Sequence, residues 1–255
     1  MVELKTRGEI EAMREAGRVV AKALAAMRAE AAVGVQLTEL DEVAREVLRE
    51  AGADSPFLNY KPRFAPVPFP AVICASVNDA ALHGIPDRYR LADGDLLSID
   101  FGATLNGWTG DAAISLTVGQ AAEADTRLID RTQAALDAGI AAAVVGAKIG
   151  DVSAAIGAVG RAAGYGICID FGGHGVGRTM HEDPSVPNDG RAGRGMQLRA
   201  GLVIAIEPWF LAGGKDKYRI DKDGWTIRSA DASRAAHIEH TVAVTEQGPM
   251  ILTAL

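Results

Sequence analysis

The sequence is short of cysteine, of aromatic residues, of basic charge and of long apolar runs, and each shortage removes a class of protein. Two cysteines occur in 255 residues, Cys74 and Cys168, and no pair has CxxC spacing. That count argues against a disulfide framework and against a thiolate zinc site. Lysine and arginine total 26 against 33 acidic residues, a net charge of −7, so no electrostatic footprint for a nucleic-acid backbone exists. The N-terminal MVELKTRGEIEAMREAG is charged from its third residue and holds neither an h-region nor an apolar run of transmembrane length. Export and membrane anchoring are therefore not expected, and the cytoplasm is the expected compartment.

What remains is a chain with 48% hydrophobic and 23% charged residues, enough to bury a core without a structural metal or disulfide. One compact domain over residues 1–255 is expected. Ile10, Met13, Val20, Leu24 and Met27 recur at helical steps within residues 8–31, as on an amphipathic helix. A second helix is expected to start at Thr38, with Asp41 at its third position, and to end at Gly52. Further helical patterns cover about 123–145 and 151–164. Strand-like runs occupy 71–77, 95–105, 108–118, 202–210 and 239–245. Strands grouped apart from helices indicate an α+β fold with a largely antiparallel sheet.

Between residues 53 and 70 stand five of the ten prolines, with Phe57, Tyr60, Phe64 and Phe69 among them. Proline denies the backbone regular hydrogen bonding. Aromatics are out of place in a solvated tether, so this long loop reads as a binding loop, with an interdomain linker as the alternative.

Leu105-Asn106-Gly107-Trp108 places Asn-Gly at a turn between two strand runs, the strongest short hairpin signal. If Leu105 pairs with Trp108, Asp100 and Asp111 become diagonal neighbours on one face, ~7–8 Å apart and within reach of one shared ion. A bulge near Gly110 would instead send Asp111 to the other face. Asp100 lies inside LLSIDFG and Glu207 inside LVIAIEPW. A carboxylate in such an apolar run is costly to bury unless it is paired or holds a cation. Glu239 opens a further β-rich run, EHTVAVT. Asp100, Asp111, Glu207 and Glu239, with His174 as a neutral donor, would balance two divalent cations, and hard oxygen ligands with an imidazole suit Mn, Fe, Co or Zn.

The stretch GGHGVGRTMHEDP holds two of the five histidines, His174 and His181, seven apart. That spacing is not the four-residue step of a metal-binding helix. No strand–GxGxxG–helix unit surrounds it, so it is not a nucleotide-binding turn either. Gly175 and Gly177 would let the backbone turn tightly and approach other segments. His237 and His240 flank Glu239 as strand neighbours that can partner ligands without being ligands themselves.

Taken in order, SVNDAALHGIP, SIDFG followed by GDAA, GHGVGRTMHEDP, IAIEPW and DGWTIRSADASRAAHIEHTVAVT resemble the type I methionine aminopeptidases of peptidase family M24. These are metallohydrolases of the pita-bread (creatinase/aminopeptidase) fold, with helices on the outer face of a curved sheet and pseudo-two-fold halves. The likeness runs over nearly the whole chain. It implies two divalent ions held by Asp100, Asp111, His174, Glu207 and Glu239, with Asp111 and Glu239 bridging both. It also implies Glu207 as general base toward a metal-activated water, and His83 and His181 as non-ligand histidines that hydrogen-bond the scissile peptide. The implied reaction removes initiator methionine from nascent polypeptide N-termini, at the ribosome, where the second residue is small. Tyr60, Phe69, Cys74, Met180 and Trp225 match positions around the methionine slot. The implied enzyme is a monomer without a nucleic-acid or membrane role.

Two departures touch the slot: NYKPRFAPVPFP is longer and richer in proline than the family's loop, and Met180 stands where an aromatic is common. The alternatives within the fold are an Xaa-Pro peptidase and a non-catalytic protein- or RNA-binding relative. The former carry an extra N-terminal domain, and the latter lack ligands that are all filled here. A metal-independent amidinohydrolase would not keep four carboxylates together. Type II enzymes insert a helical segment, whereas Glu207 and Glu239 are 32 apart.

Overall fold

The structure, a computed structural model, describes residues 2–63 and 65–255; Phe64, one of the four loop aromatics, lies outside the described residues. The first expected helix is α1, Arg7–Glu30. Thr6 Oγ1 accepts from Glu9 N at 3.4 Å while the Glu9 carboxylate accepts from Thr6 N at 2.8 Å. This reciprocal box satisfies two N–H groups that have no partner within the helix. Met13, Val20, Leu24 and Met27 are all buried, so the periodic stripe is the core face.

Helix α2, Leu37–Ala51, begins earlier than expected. Thr38 is not its cap: Gln36 holds that position, and its N–H donates to the Glu39 carboxylate at 2.6 Å. Asp41 turns inward instead of capping. Its Oδ1 accepts from Val72 N at 2.8 Å and Ile73 N at 3.2 Å, fixing the chain as it enters β1, Cys74–Val77. Gly52 ends the helix with φ +61°, a left-handed conformation that glycine adopts without steric cost.

Strand β2, Ala80–Leu82, is followed by β3, Leu96–Leu105, and β4, Trp108–Thr117. Asn106 and Gly107 have φ +52° and +77°, as a two-residue hairpin turn of this kind requires. The register pairs Leu105 with Trp108, Gly102 with Asp111 and Asp100 with Ala113, without a bulge. Asp100 and Asp111 therefore share a face.

Helices α3, Glu123–Ala142, and α4, Ile149–Ala162, form a second pair. Short strands follow: β5 Gly173–Gly175, β6 Glu182–Val186, β7 Val203–Ile206, β8 Trp209–Leu211, β9 Tyr218–Ile220, β10 Ile227–Ser229, β11 Ala235–His237, β12 His240–Thr245 and β13 Gly248–Ile251. The single run expected over 202–210 is two strands. Pro208, with no N–H to donate, separates them.

Every ladder is antiparallel: β1-β3-β4, β2-β10-β9, β11-β8 and β13-β12-β7-β5-β6. Helix α1 packs on β3 and β4, and α3 packs on β4, β7, β8 and β11. Each helix pair has its own core. Leu24, Leu40, Ile99 and Phe101 belong to the first, and Leu136, Ile156, Ile204 and Val242 to the second. These two halves meet where Glu239 N donates to Ala113 O at 2.9 Å and Ala113 N to Glu239 O at 3.3 Å. The fold is thus α+β with an antiparallel sheet system, as the grouping of strands indicates. Among the described residues no helix is long and apolar enough to cross a membrane.

Candidate active site

Asp111 and Glu239 are brought together by that seam. The Ala113–Glu239 bridge lies two residues from Asp111. Next to it, Thr241 Oγ1 accepts from Asp111 N at 2.9 Å and donates to Asp111 O at 2.7 Å. With His174 these residues form a buried group whose candidate ligand atoms lie within 4.8 Å of one another. Asp100 projects from the same face of the hairpin. Glu207 sits in the break between β7 and β8, where the fully buried Asn188 donates Nδ2–H to its carbonyl at 3.0 Å.

His174 is held by close backbone contacts. A β-carbon on Gly173 would overlap the Ala205 carbonyl, and one on Gly175 would overlap the Asp183 carbonyl. The glycines are therefore there for close approach. The chain turns back between Gly175 and Glu182, with Gly177 N donating to Thr179 O at 3.1 Å, and neither Gly175 nor Gly177 needs a positive φ to do so. His174 Nδ1 lies 3.0 Å from Gly175 O. Since a carbonyl can only accept, Nδ1 carries the proton and Nε2 keeps its lone pair. That lone pair lies 3.5 Å from Glu207 Oε1 and 4.0 Å from Asp111 Oδ2.

The electrostatics of this cluster call for a cation. Burial and repulsion from Asp111 and Glu207 push the Asp100 carboxyl well above the usual range. Burial raises Asp111 to about 7, against hydrogen bonds that pull it down. Burial, then the Asp111 charge, raises Glu207 to about 8. Glu239 is raised well up by burial and by its three carboxylate neighbours. Asp100 Oδ1, Asp111 Oδ1 and Glu239 Oε1 are buried without a hydrogen-bond partner. Each uncompensated buried charge costs several kcal/mol, so four would consume most of a stability of about 5–15 kcal/mol. A divalent cation removes the repulsion and gives the orphaned oxygens a partner. Carboxylates with one neutral imidazole suit it.

The cluster opens on a cavity of about 410 Å³ that all the expected site residues line. Cys74 stands opposite Asp100 in the β1–β3 ladder, which sets the apolar wall beside the carboxylates. Phe69, Cys74, Met180 and Trp225 form one buried group with Phe57, and Tyr60 packs on it. Burial and the carboxylate charges push the Cys74 thiol well up, making it a neutral wall and not a nucleophile. The proline-rich loop is folded onto the site: Asn59 N donates to Phe69 O and Phe69 N to Tyr60 O, both at 2.9 Å. Trp225 Nε1 donates to Val67 O at 2.9 Å. The loop is thus packed against the cavity, which Phe57, Tyr60 and Phe69 line, and is not a solvated tether.

His83 and His181 line the same cavity outside the three-residue cluster. His181 stacks on Tyr60 with centroids 5.3 Å apart and lies 4.2 Å from His174. His83 has φ +56°, a sparsely populated conformation for a histidine. It is maintained by Gly84, whose N–H donates to Ser76 Oγ at 3.1 Å and whose carbonyl accepts from Ala75 N at 2.8 Å. Burial pushes His83 down to about 4 and, with the neighbouring histidines, His181 down to about 3, so both are neutral at pH 7. Glu182 pins the turn between the two site histidines. It accepts from Arg178 N at 2.9 Å and from the buried Lys5 Nζ at 2.8 Å.

Some lining residues escaped the sequence reading. Phe171 lies edge-on to His83 at 5.6 Å, and Asp170 and the exposed Ile169 stand at the mouth. The signal available was their place just ahead of the GGHG run.

A model of metallopeptidase family M24 matches residues 11–246. The chain belongs to this family. It is 51% identical to methionine aminopeptidase 1 of Mycobacterium tuberculosis, over 99% of this chain and 95% of that protein. It is 40% identical to the methionine aminopeptidase of Aquifex aeolicus, over 100% and 99% of the two chains. The crystal structure of the Thermotoga maritima methionine aminopeptidase superposes with a TM-score of 0.95 at 36% identity, over 100% of both chains. A prolidase from Pyrococcus horikoshii shares the pita-bread fold alone: TM-score 0.78, 23% identity, with 63% of that chain covered. Within the family, the likeness is to methionine aminopeptidases over full length.

Proposed function

We propose that this metal-dependent aminopeptidase removes the initiator methionine from nascent polypeptides whose second residue is small, with residues 1–255 acting as one cytoplasmic catalytic domain. The observation that carries the reading is the arrangement of four carboxylates and one imidazole, with orphaned oxygens, at the base of an apolar slot. Asp100, Asp111, His174, Glu207 and Glu239 would hold two divalent cations, whose charge the four carboxylates balance. When bound, such ions polarise a carbonyl and lower the pKa of water toward neutrality.

The chain's own groups do the rest. Phe69, Cys74, Met180 and Trp225 exclude water and bury an unbranched thioether side chain, worth roughly 1.5–3 kcal/mol for a side chain of that size. Glu207, at the edge of the cluster, takes the proton from the attacking water. His83 and His181, neutral, each offer one N–H to the scissile peptide, where charge develops on its oxygen, and the proton taken by Glu207 passes to the leaving nitrogen. The substrate's chain leaves past Ile169 and Asp170 at the mouth.

Metal-stripped protein is expected to regain cleavage of Met-Ala-Ser when Co, Mn or Fe is added. Metal-replete protein that ignores this peptide and cleaves Xaa-Pro peptides would overturn the reading.

A further inference from the structure

Two histidines, His237 and His240, have no place in the chemistry above. His240 Nδ1 is 2.8 Å from Thr253 Oγ1, on the β12 side of the sheet. His237 is placed differently. It is 2% exposed and absent from the cavity wall, so it meets neither solvent nor substrate. Its Nε2 has no hydrogen-bond partner and lies 3.7 Å from Glu207 Oε2 and 3.7 Å from Glu239 Oε2.

The backbone of His237 is fixed on both sides. Its N–H donates to Ser115 Oγ at 3.0 Å and to Ser98 Oγ at 3.3 Å, and its carbonyl accepts from Ser115 Oγ at 2.8 Å. Ser98 and Ser115 are both buried, and their hydroxyls are 2.8 Å apart. They face each other across the hairpin that carries Asp100 and Asp111. The strand pairing of His237 with Trp209 completes the frame. The imidazole is thus aimed, from behind, between two carboxylates, from a strand tied to the hairpin that supplies two more.

A buried ring nitrogen left unpaired is destabilising, and its distance from each carboxylate is only about 0.5 Å beyond hydrogen-bond reach. Glu207 divides its two oxygens between two histidines: Oε1 faces His174 at 3.5 Å and Oε2 faces His237. Glu239 turns Oε2 to His237 and leaves Oε1 unpartnered.

We propose that His237 is a positioning residue whose Nε2–H is shared between Glu207 Oε2 and Glu239 Oε2, turning the other oxygen of each carboxylate to the cation site. The inference rests on the metallopeptidase reading above. The role needs an N–H donor at the far edge of the ring. A glutamine amide reaches that position, an asparagine amide falls one bond short, and leucine fills the space without a donor.

The test compares His237→Leu, His237→Asn and His237→Gln in metal-stripped full-length protein. Three quantities are read: Mn²⁺ affinity and stoichiometry by calorimetry, kcat and KM on Met-Ala-Ser, and the Tm of the metal-free protein. His237→Leu and His237→Asn are expected to bind Mn²⁺ about 10–100-fold more weakly and to lose kcat with KM little changed. His237→Gln is expected to restore both. Wild-type affinity and turnover in His237→Leu would overturn the proposal. So would loss of a bound ion in His237→Gln, which would make His237 a ligand itself. Should His237→Leu fail to fold, His237→Asn carries the comparison with His237→Gln. Wild-type protein that binds Mn²⁺ but leaves Met-Ala-Ser intact would overturn the functional reading, while the Mn²⁺ affinities of the variants still decide the role of His237.

Discussion

Asp41 links the helical layer to the site, and removing it gives a measurable prediction. Its Oδ1 serves Val72 N at 2.8 Å and Ile73 N at 3.2 Å, and its Oδ2 accepts from Arg45 Nε at 2.7 Å. The two amides lie just ahead of Cys74, which pairs with Asp100. Asp41→Ala strands both N–H groups, at about 1–3 kcal/mol each where water cannot replace the acceptor. Asp41 is 8% exposed, so water recovers part of that, and about 3 kcal/mol is expected. For a chain of this size each kcal/mol moves Tm by about 2–4 °C, giving a fall of about 6–12 °C. Asp41→Asn keeps an acceptor oxygen and loses charge assistance, so a fall of about 2–6 °C is expected. Thr38→Ala, at the position the sequence suggests as the cap, should change stability by no more than about 0.5 kcal/mol. Calorimetric melting of the metal-free proteins measures all three, since bound metal would add its own stabilisation. A Tm for Asp41→Ala within about 2 °C of wild type would refute the reasoning.

Replacing His83 or His181 by Ala should lower kcat about 10²–10³-fold while elemental analysis finds the metal content unchanged. Gly175→Ala should part β5 from β6, because its β-carbon would overlap the Asp183 carbonyl, and should reduce metal content along with activity. Metal-free protein should also respond to pH in a definite direction. Asp111 and Glu207 are raised to about 7 and about 8 by burial, so the folded state holds their protons more tightly than the unfolded chain, where carboxyls titrate near ~4. That contribution is fully present below ~4 and is lost as pH rises through 7 and 8. Melting curves of the stripped protein at pH 6 and pH 8.5 should show this loss, and added Mn²⁺ should abolish it.

Long periodic features were legible in the sequence. The α1 stripe and the Asn106-Gly107 hairpin carry their own local rules, and the hairpin's register alone put Asp100 beside Asp111. Charges embedded in apolar runs, Asp100 and Glu207, advertised a cation site because burial without one is prohibitive. The assignment of His83 and His181 rested on family resemblance, since no local pattern ties position 83 to position 181. Tertiary interactions hid the rest. Asp41 resembles a helix-capping acid until the Val72 and Ile73 amides, just ahead of β1, arrive to use it. Strands of three residues, such as β5 and β11, are too short for any alternation to show. The orientation of His237 depends on Ser98 and Ser115, more than 100 residues away along the chain.

Titration of metal-stripped protein with Mn²⁺, following bound ion and Met-Ala-Ser cleavage in the same samples, tests the central claim most directly. Cleavage should rise in step with bound metal in the wild type, both should vanish in Asp111→Asn and Glu239→Gln, and His181→Ala should bind metal normally with turnover lowered about 10²–10³-fold. Cleavage that survives chelation, or Asp111→Asn and Glu239→Gln proteins that bind Mn²⁺ as the wild type does, would contradict it.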